Sequence, residues 1–431
     1  MRTIYPIASA TSSNGIHVIV NPDPWVPGVA VNLWYGVGSA DETPTHTGLA
    51  HLFEHLMFSG SANVATGEHL SLIQSVGGNT NATTSFDRTN YYDTVPTGAL
   101  ELALWLEADR LGSLLDRVDQ VNLDTQRAVV EEEKRQRYDN VPYGDAFQHL
   151  MSLCFPADHP YSHTPIGSME DLDAATLEDV HEFFRTHYSP DKLTLALSGA
   201  ITPEQGFELV ETYFGHIPRG ENPPTLPSMK SPVSPPEGAQ REVVANVPQD
   251  AVYCSWVTPP VTDPTTDAFT LGLSVLTEGL TARLHKALVV TGLADSVDAF
   301  DLGLARGASL VSVVATCDED TTPAEVESVM MAAWDDFCAH GPNPAEVERA
   351  QISEERECLA DLASIETRAD AMCEAALVFS DPDDVNTYLD RIWAVTPDDV
   401  GHAFSQWLDP RKRAVLTYRR SEAEKQEGGQ P

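Results

Sequence analysis

His51-Leu52-Phe53-Glu54-His55 sets two imidazoles and a carboxylate at helical spacing. At about 100° per residue, His55 lies about 40° round a helix from His51, and Glu54 about 60° the other way, so the three share one face. Two neutral imidazoles suit zinc. A glutamate beside them is placed to take a proton from water activated by such an ion. The order H-x-x-E-H inverts the commoner zinc motif H-E-x-x-H. Histidines at this spacing also occur on solvated helices, so the surroundings matter. In TGLAHLFEHLMFSG the residues Leu49, Ala50, Leu52, Phe53, Leu56, Met57 and Phe58 surround the polar groups, which predicts a buried helix. Buried imidazoles and a buried carboxylate need partners, and a dication serves all of them.

A catalytic zinc site takes three protein ligands and keeps one position open. The third is sought in QRAVVEEEKRQRYDN, a charged helical stretch with Glu131, Glu132 and Glu133 in succession. Glu133 shares a helical face with Val129 and Val130, whereas Glu131 shares one with Arg127 and Ala128 and should point to water. Glu133 is therefore the candidate, with Glu132 in reserve. Between these helices, Asn79–Thr84 follows a Gly77-Gly78 turn. Its small polar residues cannot build a core, so it reads as an edge strand.

The elements that must position these groups fall into two halves. Residues 1–218 run through the strands GIHVIV and GVAVNLWYG, the metal helix, amphipathic helices and a closing strand LTLALSGA. RGENPPTLPSMKSPVSPPEG, residues 219–238, reads as a Pro-rich linker. The order of elements then recurs over 239–420, with REVVANV, AVYCSWV, a helix near DAFTLGLSVL, ASLVSVVATC, long helices from 322 to 407 and RAVLTYR. The expected fold is α+β, with two homologous α/β halves that each pack helices on a mainly antiparallel sheet. Where the first half has its metal helix, the second offers Leu273, Ser274, Leu276, Thr277 and Glu278 without a histidine, so only one half can bind metal. The tail 421–431 is polar and reads as disordered.

Composition narrows the function further. The chain has 431 residues, 42% hydrophobic, with no apolar run long enough to span a membrane. Sixty-five acidic residues against 26 basic ones give a formal charge of −39, which excludes nucleic acid as a partner. The acidity is spread along the chain, which fits a solubility adaptation better than a lure for cationic substrate. Cys154, Cys254, Cys317, Cys338, Cys358 and Cys373 lack C-x-x-C spacing and read as free thiols. No signal peptide is evident, so a cytoplasmic location is expected. His46 and His69, which flank the metal helix, read as surface or capping residues.

The sequence resembles the pitrilysin-like inverzincin metallopeptidases, and within them the shorter chains of the mitochondrial-processing-peptidase type. The resemblance rests on the H-x-x-E-H helix and a glutamate on a later helix, with 78 residues from His55 to Glu133. GGNTNATTSFDRTNYYDTVP (77–96), LWLEADRLG (104–112), HPYSHTPIGSMEDL (159–172) and FFRTHYSPDKLTLALSGAI (183–201) extend it in family order. It implies one Zn2+ per chain held by His51, His55 and Glu133, with Glu54 as general base. It also implies that an extended peptide adds to the edge strand through backbone bonds at Asn81, Ala82 and Thr83. His149, His159 and His163 fall in or near the HPY segment, with an expected structural role.

One departure carries information. Complete enzymes of the family carry an arginine and a tyrosine in a segment of the form R-L-F-x-x-x-R-x-x-x-G-L-A-Y, and these hold the substrate carbonyl. The matching stretch here is Arg283 to Asp295, one residue shorter, with Val289 in place of the arginine and Asp295 in place of the tyrosine. Arg283 belongs to the structural part of the segment. The resemblance therefore implies the zinc-bearing subunit of an endopeptidase, acting on extended oligopeptides or unfolded segments in a closed chamber. A homologous partner chain would supply the missing pair, a heterodimer being expected over a homodimer. The rival expectation is a structural core-protein-like subunit. Such proteins have damaged metal motifs, whereas all four chemical residues are intact here.

Overall fold

The computed structural model describes residues 4–220, 235 and 237–421. Most of the expected linker and nearly all of the expected tail lie outside the described residues. By packing, the chain forms two compact units. One comprises Met1–Glu133, His163–Pro227 and Cys358–Tyr388, the other Lys134–Ser162, Ser228–Glu357 and Leu389–Pro431.

The first unit is built on β1 (Ala8–Thr11), β2 (His17–Pro22), β3 (Gly28–Tyr35), β4 (Asn79–Thr84), β5 (Thr89–Pro96) and β6 (Leu193–Gly199). They lie in the order β1-β2-β6-β3-β5-β4. All neighbours are antiparallel except β2 and β6. The apolar strings of β3 and β6 are buried almost throughout, as central strands covered on both faces must be. β4 alternates exposed and covered residues and lies at the sheet's edge, as its composition predicts.

One face of this sheet is covered by helix Ile365–Val378, which comes from the second half of the sequence. Ile365, Ala369, Met372 and Cys373 pack on Ile19, Ala30, Trp34 and Ala196. The helix is polar-anchored too, because Asp370 Oδ1 accepts from Trp34 Nε1 at 2.7 Å, Asn32 Nδ2 at 2.9 Å and Asn90 Nδ2 at 2.8 Å.

The second unit contains β7 (Gln240–Ala245), β8 (Ala251–Thr258), β9 (Ala294–Asp301), β10 (Ser309–Cys317) and β11 (Ala414–Arg420). Their order is β7-β11-β8-β10-β9, with β7 and β11 the parallel pair. This repeats β2-β6-β3-β5-β4 strand for strand, the parallel pair included, so the internal duplication read from element order is present in the topology. Helix Ala146–Cys154, from the first half of the sequence, packs on β8 and β11. These strands are the counterparts of β3 and β6. Each unit is thus completed by a helix from the other half of the sequence. Among the described residues no helix is long and apolar enough to cross a membrane.

Candidate metallopeptidase site

Helix Leu49–Leu56 forms where the string 49–58 predicts it, and Leu49, Ala50, Leu52, Phe53 and Leu56 are buried. Phe53 fixes its inner face against Phe183, Phe184 and Tyr188, with ring centroids 5.7, 5.6 and 4.7 Å away. Its start is unusual. The N-cap is Gly48 at φ +90°, where a Cβ would meet Ile166 O at 2.8 Å, so no capping side chain can stand there. Glu42 acts instead from six residues upstream. Its Oε2 accepts from the Gly48 N–H at 2.8 Å and its Oε1 from the Ala50 N–H at 2.7 Å. Burial pushes the Glu42 carboxyl well up, while the two N–H groups pull it back. Glu42→Ala is expected to cost about 1–3 kcal/mol, since it strands two buried donors at the helix N-terminus. A thermal melt read beside Glu42→Gln, which keeps one acceptor and should lose less, checks this; equal melting of Glu42→Ala and wild type would refute it.

His51 and His55 project from this helix with ring centroids 4.9 Å apart and nearly perpendicular. Glu133 ends the same cluster, its Oε2 lying 3.1 Å from His55 Nε2 and 3.7 Å from His51 Nε2. One ligand atom from each of the three lies within 4.8 Å of the others. These separations suit three donors around one ion, and two nitrogens with one carboxylate oxygen fit zinc. The side chains of His51, His55 and Glu133 are 12%, 22% and 16% exposed, so the cluster is shielded yet open to solvent on one side. Glu132 is exposed and outside the cluster.

The glutamate comes from helix Gln120–Lys134, which buries Leu123 and Val130. Val129, expected to share the inner face, is 43% exposed, so Val130 alone carries that contact. Arg127 adds what apolar packing lacks, donating from Nε to Leu172 O and from Nη2 to Ala175 O, both at 2.8 Å.

Glu54 stands apart from the three. Its Oε2 accepts from Thr84 Oγ1 at 2.5 Å. Burial raises its carboxyl above the usual range, and Thr84, His55 and Arg88 partly offset this. Thr84 was not a sequence candidate, although its place as last residue of the predicted edge strand marks it. The partner that orients the glutamate thus sits on the strand expected to hold substrate. Within the sheet β4 pairs with β5 on one side only. Asn81 and Thr83 are exposed and Ala82 is buried. The Ala82 N–H donates to Asn81 Oδ1 at 2.9 Å. Thr83 is held by Asn90 Oδ1, at 2.5 Å from its hydroxyl, and by Arg88 Nη1, at 3.0 Å from its carbonyl oxygen.

In the second unit Val289 ends a single turn, His285–Val289, and Asp295 lies in β9, a strand its acidic sequence did not predict. Asp295 accepts from Gln249 Nε2. Arg283 is spent on Glu346, at 2.9 and 2.7 Å, on Gly341 O at 3.0 Å and on the ring face of Phe337.

The other histidines divide. His46 is half-buried, facing the hydroxyls of Thr43 and Thr45 and lying 3.7 Å from Asp179. His149 bonds Asp145 and Arg241, His159 Nδ1 accepts from the Tyr161 N–H, and His163 lies 3.7 Å from Glu42. His69 contradicts the surface reading. It is buried, because helix Glu68–Ser75 turns it inward towards Asp93 and Glu107.

Comparisons with known proteins agree with this architecture. Residues 17–159 match the profile described as insulinase (peptidase family M16), and residues 174–353 the profile described as the peptidase M16 inactive domain. A zinc protease, PqqE, of Helicobacter pylori is 35% identical over 251 residues, 58% of this chain and 55% of that protein. The beta subunit of the mitochondrial-processing peptidase of Saccharomyces cerevisiae is 28% identical over 225 residues, 51% of this chain and 47% of that one. The chain therefore spans about half the length of these curated relatives. A crystal structure of a protease from Helicobacter pylori superposes with a TM-score of 0.88 at 23% identity, covering 97% of this chain and all of that one, which shows the shared fold.

Proposed function

Because the chain belongs to the pitrilysin-like M16 peptidase family, we propose that it is the zinc-bearing subunit of an endopeptidase that hydrolyses extended oligopeptides or unfolded segments. One observation carries the reading. His51, His55 and Glu133 converge at ion-binding separation while Glu54, beside them, is hydrogen-bonded to the last residue of an open edge strand.

When bound, zinc would supply a Lewis acid that polarises the scissile carbonyl and makes water a nucleophile near neutral pH. His51, His55 and Glu133 would hold it. Glu54 takes the proton of the attacking water and returns it to the leaving amine. Thr84 orients the Oε2 that performs both transfers. The outer edge of β4 receives the peptide as an added strand, with Asn81, Ala82 and Thr83 supplying backbone groups. Asn81 Oδ1 occupies the Ala82 N–H until a substrate carbonyl replaces it.

Donors to the carbonyl oxygen must come from elsewhere, since Val289 and Asp295 offer none and Arg283 is engaged. A homologous partner with the arginine and tyrosine, in a heterodimer that closes a chamber over the site, supplies them in this reading. Metal analysis separates the two glutamate candidates. Glu133→Gln is expected to lose one zinc equivalent per chain relative to wild type, and Glu132→Gln none. The reverse result would overturn the assignment of Glu133.

A further inference from the structure

Behind β4 and β5, in the first unit, lies a second group of ligand-type side chains that the proposed chemistry does not use. His69 (helix Glu68–Ser75), Asp93 (β5) and Glu107 (helix Leu100–Ser113) each place a ligand atom within 4.8 Å of the other two. The side chains are 5%, 0% and 1% exposed. Arg110 is paired to Glu107 through Nε at 2.8 Å and Nη2 at 2.6 Å, and its guanidinium lies over the rings of Tyr91 and Phe58. This pairing engages Arg110 on Glu107, whose carboxyl burial raises to about 7. It leaves Asp93 a fully buried carboxylate whose two oxygens have no well-formed hydrogen bond, with the Thr80 hydroxyl and Glu107 beside it. His69 Nε2 is likewise buried without a hydrogen bond and aims at both carboxylates, 3.8 Å from Asp93 Oδ1 and 3.7 Å from Glu107 Oε1.

An unpaired buried carboxylate is among the most costly groups a fold can contain, and it is retained where a proton or a cation compensates it. A proton held between Glu107 and Asp93 is the competing compensation, since burial raises Glu107 to about 7 beside Asp93, and zinc content separates it from a cation; a proton on His69 is excluded by spacing. A shared proton would draw the imidazole nitrogen and a carboxylate oxygen to about 2.8 Å. The observed 3.7 and 3.8 Å are too long for that, and they resemble the 3.1 and 3.7 Å of the His51, His55 and Glu133 cluster. Ligand atoms about 2.1 Å from one ion stand about 3–3.5 Å apart, so a slight contraction closes all three on it. With a dication, one imidazole and two carboxylates form a neutral first shell, and Arg110 is left as a cation held outside it by Glu107 and by the ring faces of Tyr91 and Phe58.

We propose that His69, Asp93 and Glu107 bind a second divalent cation, a buried structural one, of the first-row class that accepts mixed nitrogen and oxygen ligands, such as zinc or manganese. It would tie helices Glu68–Ser75 and Leu100–Ser113 to β5, whose Asp93 is the register partner of Thr80 in the edge strand. The proposal is independent of whether the first site is catalytic.

The test is zinc content per full-length chain after loading with excess zinc and gel filtration. Wild type should hold two equivalents, His51→Ala/His55→Ala one, Asp93→Asn one, and the triple variant none. A His51→Ala/His55→Ala protein without zinc, or an Asp93→Asn protein that holds as much as wild type, would overturn it. Should Asp93→Asn fail to fold, zinc-edge X-ray absorption of His51→Ala/His55→Ala decides instead. One imidazole with carboxylate oxygens is the expected shell, and a shell with no imidazole or with two would overturn the site.

Discussion

Glu54→Gln is expected to retain the wild-type zinc content and to lose peptide hydrolysis by at least about a hundredfold, because the amide keeps the shape of the side chain but cannot accept a proton. Thr84 Oγ1 can still donate to the amide oxygen, so the local structure should survive the change. Zinc content and hydrolysis of a fluorogenic peptide, measured on the same preparations with the proposed partner present, separate the outcomes. Zinc loss would make Glu54 a ligand, and undiminished hydrolysis would remove it from the mechanism.

The second large effect concerns what the chain lacks. An anion developing on a peptide carbonyl needs preorganised donors, and each is worth about a hundredfold or more in rate. Val289 cannot donate, Asp295 accepts from Gln249, and Arg283 already serves Glu346 and Gly341. The isolated chain should therefore bind zinc normally and cleave peptides slowly or not at all. Addition of a family member that carries the arginine and tyrosine but lacks an intact H-x-x-E-H should raise the rate by about a hundredfold or more. The assay compares each chain alone with the mixture. Full activity from this chain as a homodimer would contradict the account and direct attention to other donors, with His285 the first to replace.

Much of the candidate site was legible because its signals are local. The H-x-x-E-H face follows from helical periodicity. β4 declares itself an edge by having nothing to bury, and the repeated element order reappears as the repeated strand order of the two sheets. What local pattern could not supply is long-range packing. Nothing in the sequence of 365–378 says that its apolar residues complete the sheet of the first half, or that Asp370 collects Asn32, Trp34 and Asn90. The same holds for Ala146–Cys154 on β8 and β11. Strand β9 was hidden by its acidic residues, tolerable only because it is an edge. His69 was misread because a histidine in a short, mostly polar helix looks solvated until its acidic partners on β5 and a later helix are known. Glu42 gave no signal, since a cap acting from six residues upstream has no fixed spacing motif.

The central claim is that one zinc is held where Glu54 can serve it. Crystals of the zinc-loaded full chain, measured on both sides of the zinc absorption edge, test it most directly. The account predicts an anomalous peak bonded to His51 Nε2, His55 Nε2 and one Glu133 carboxylate oxygen, with Glu54 beside it but not bonded to it. A zinc-loaded crystal with no peak at these three residues, or with Glu54 in the place of Glu133, would contradict it.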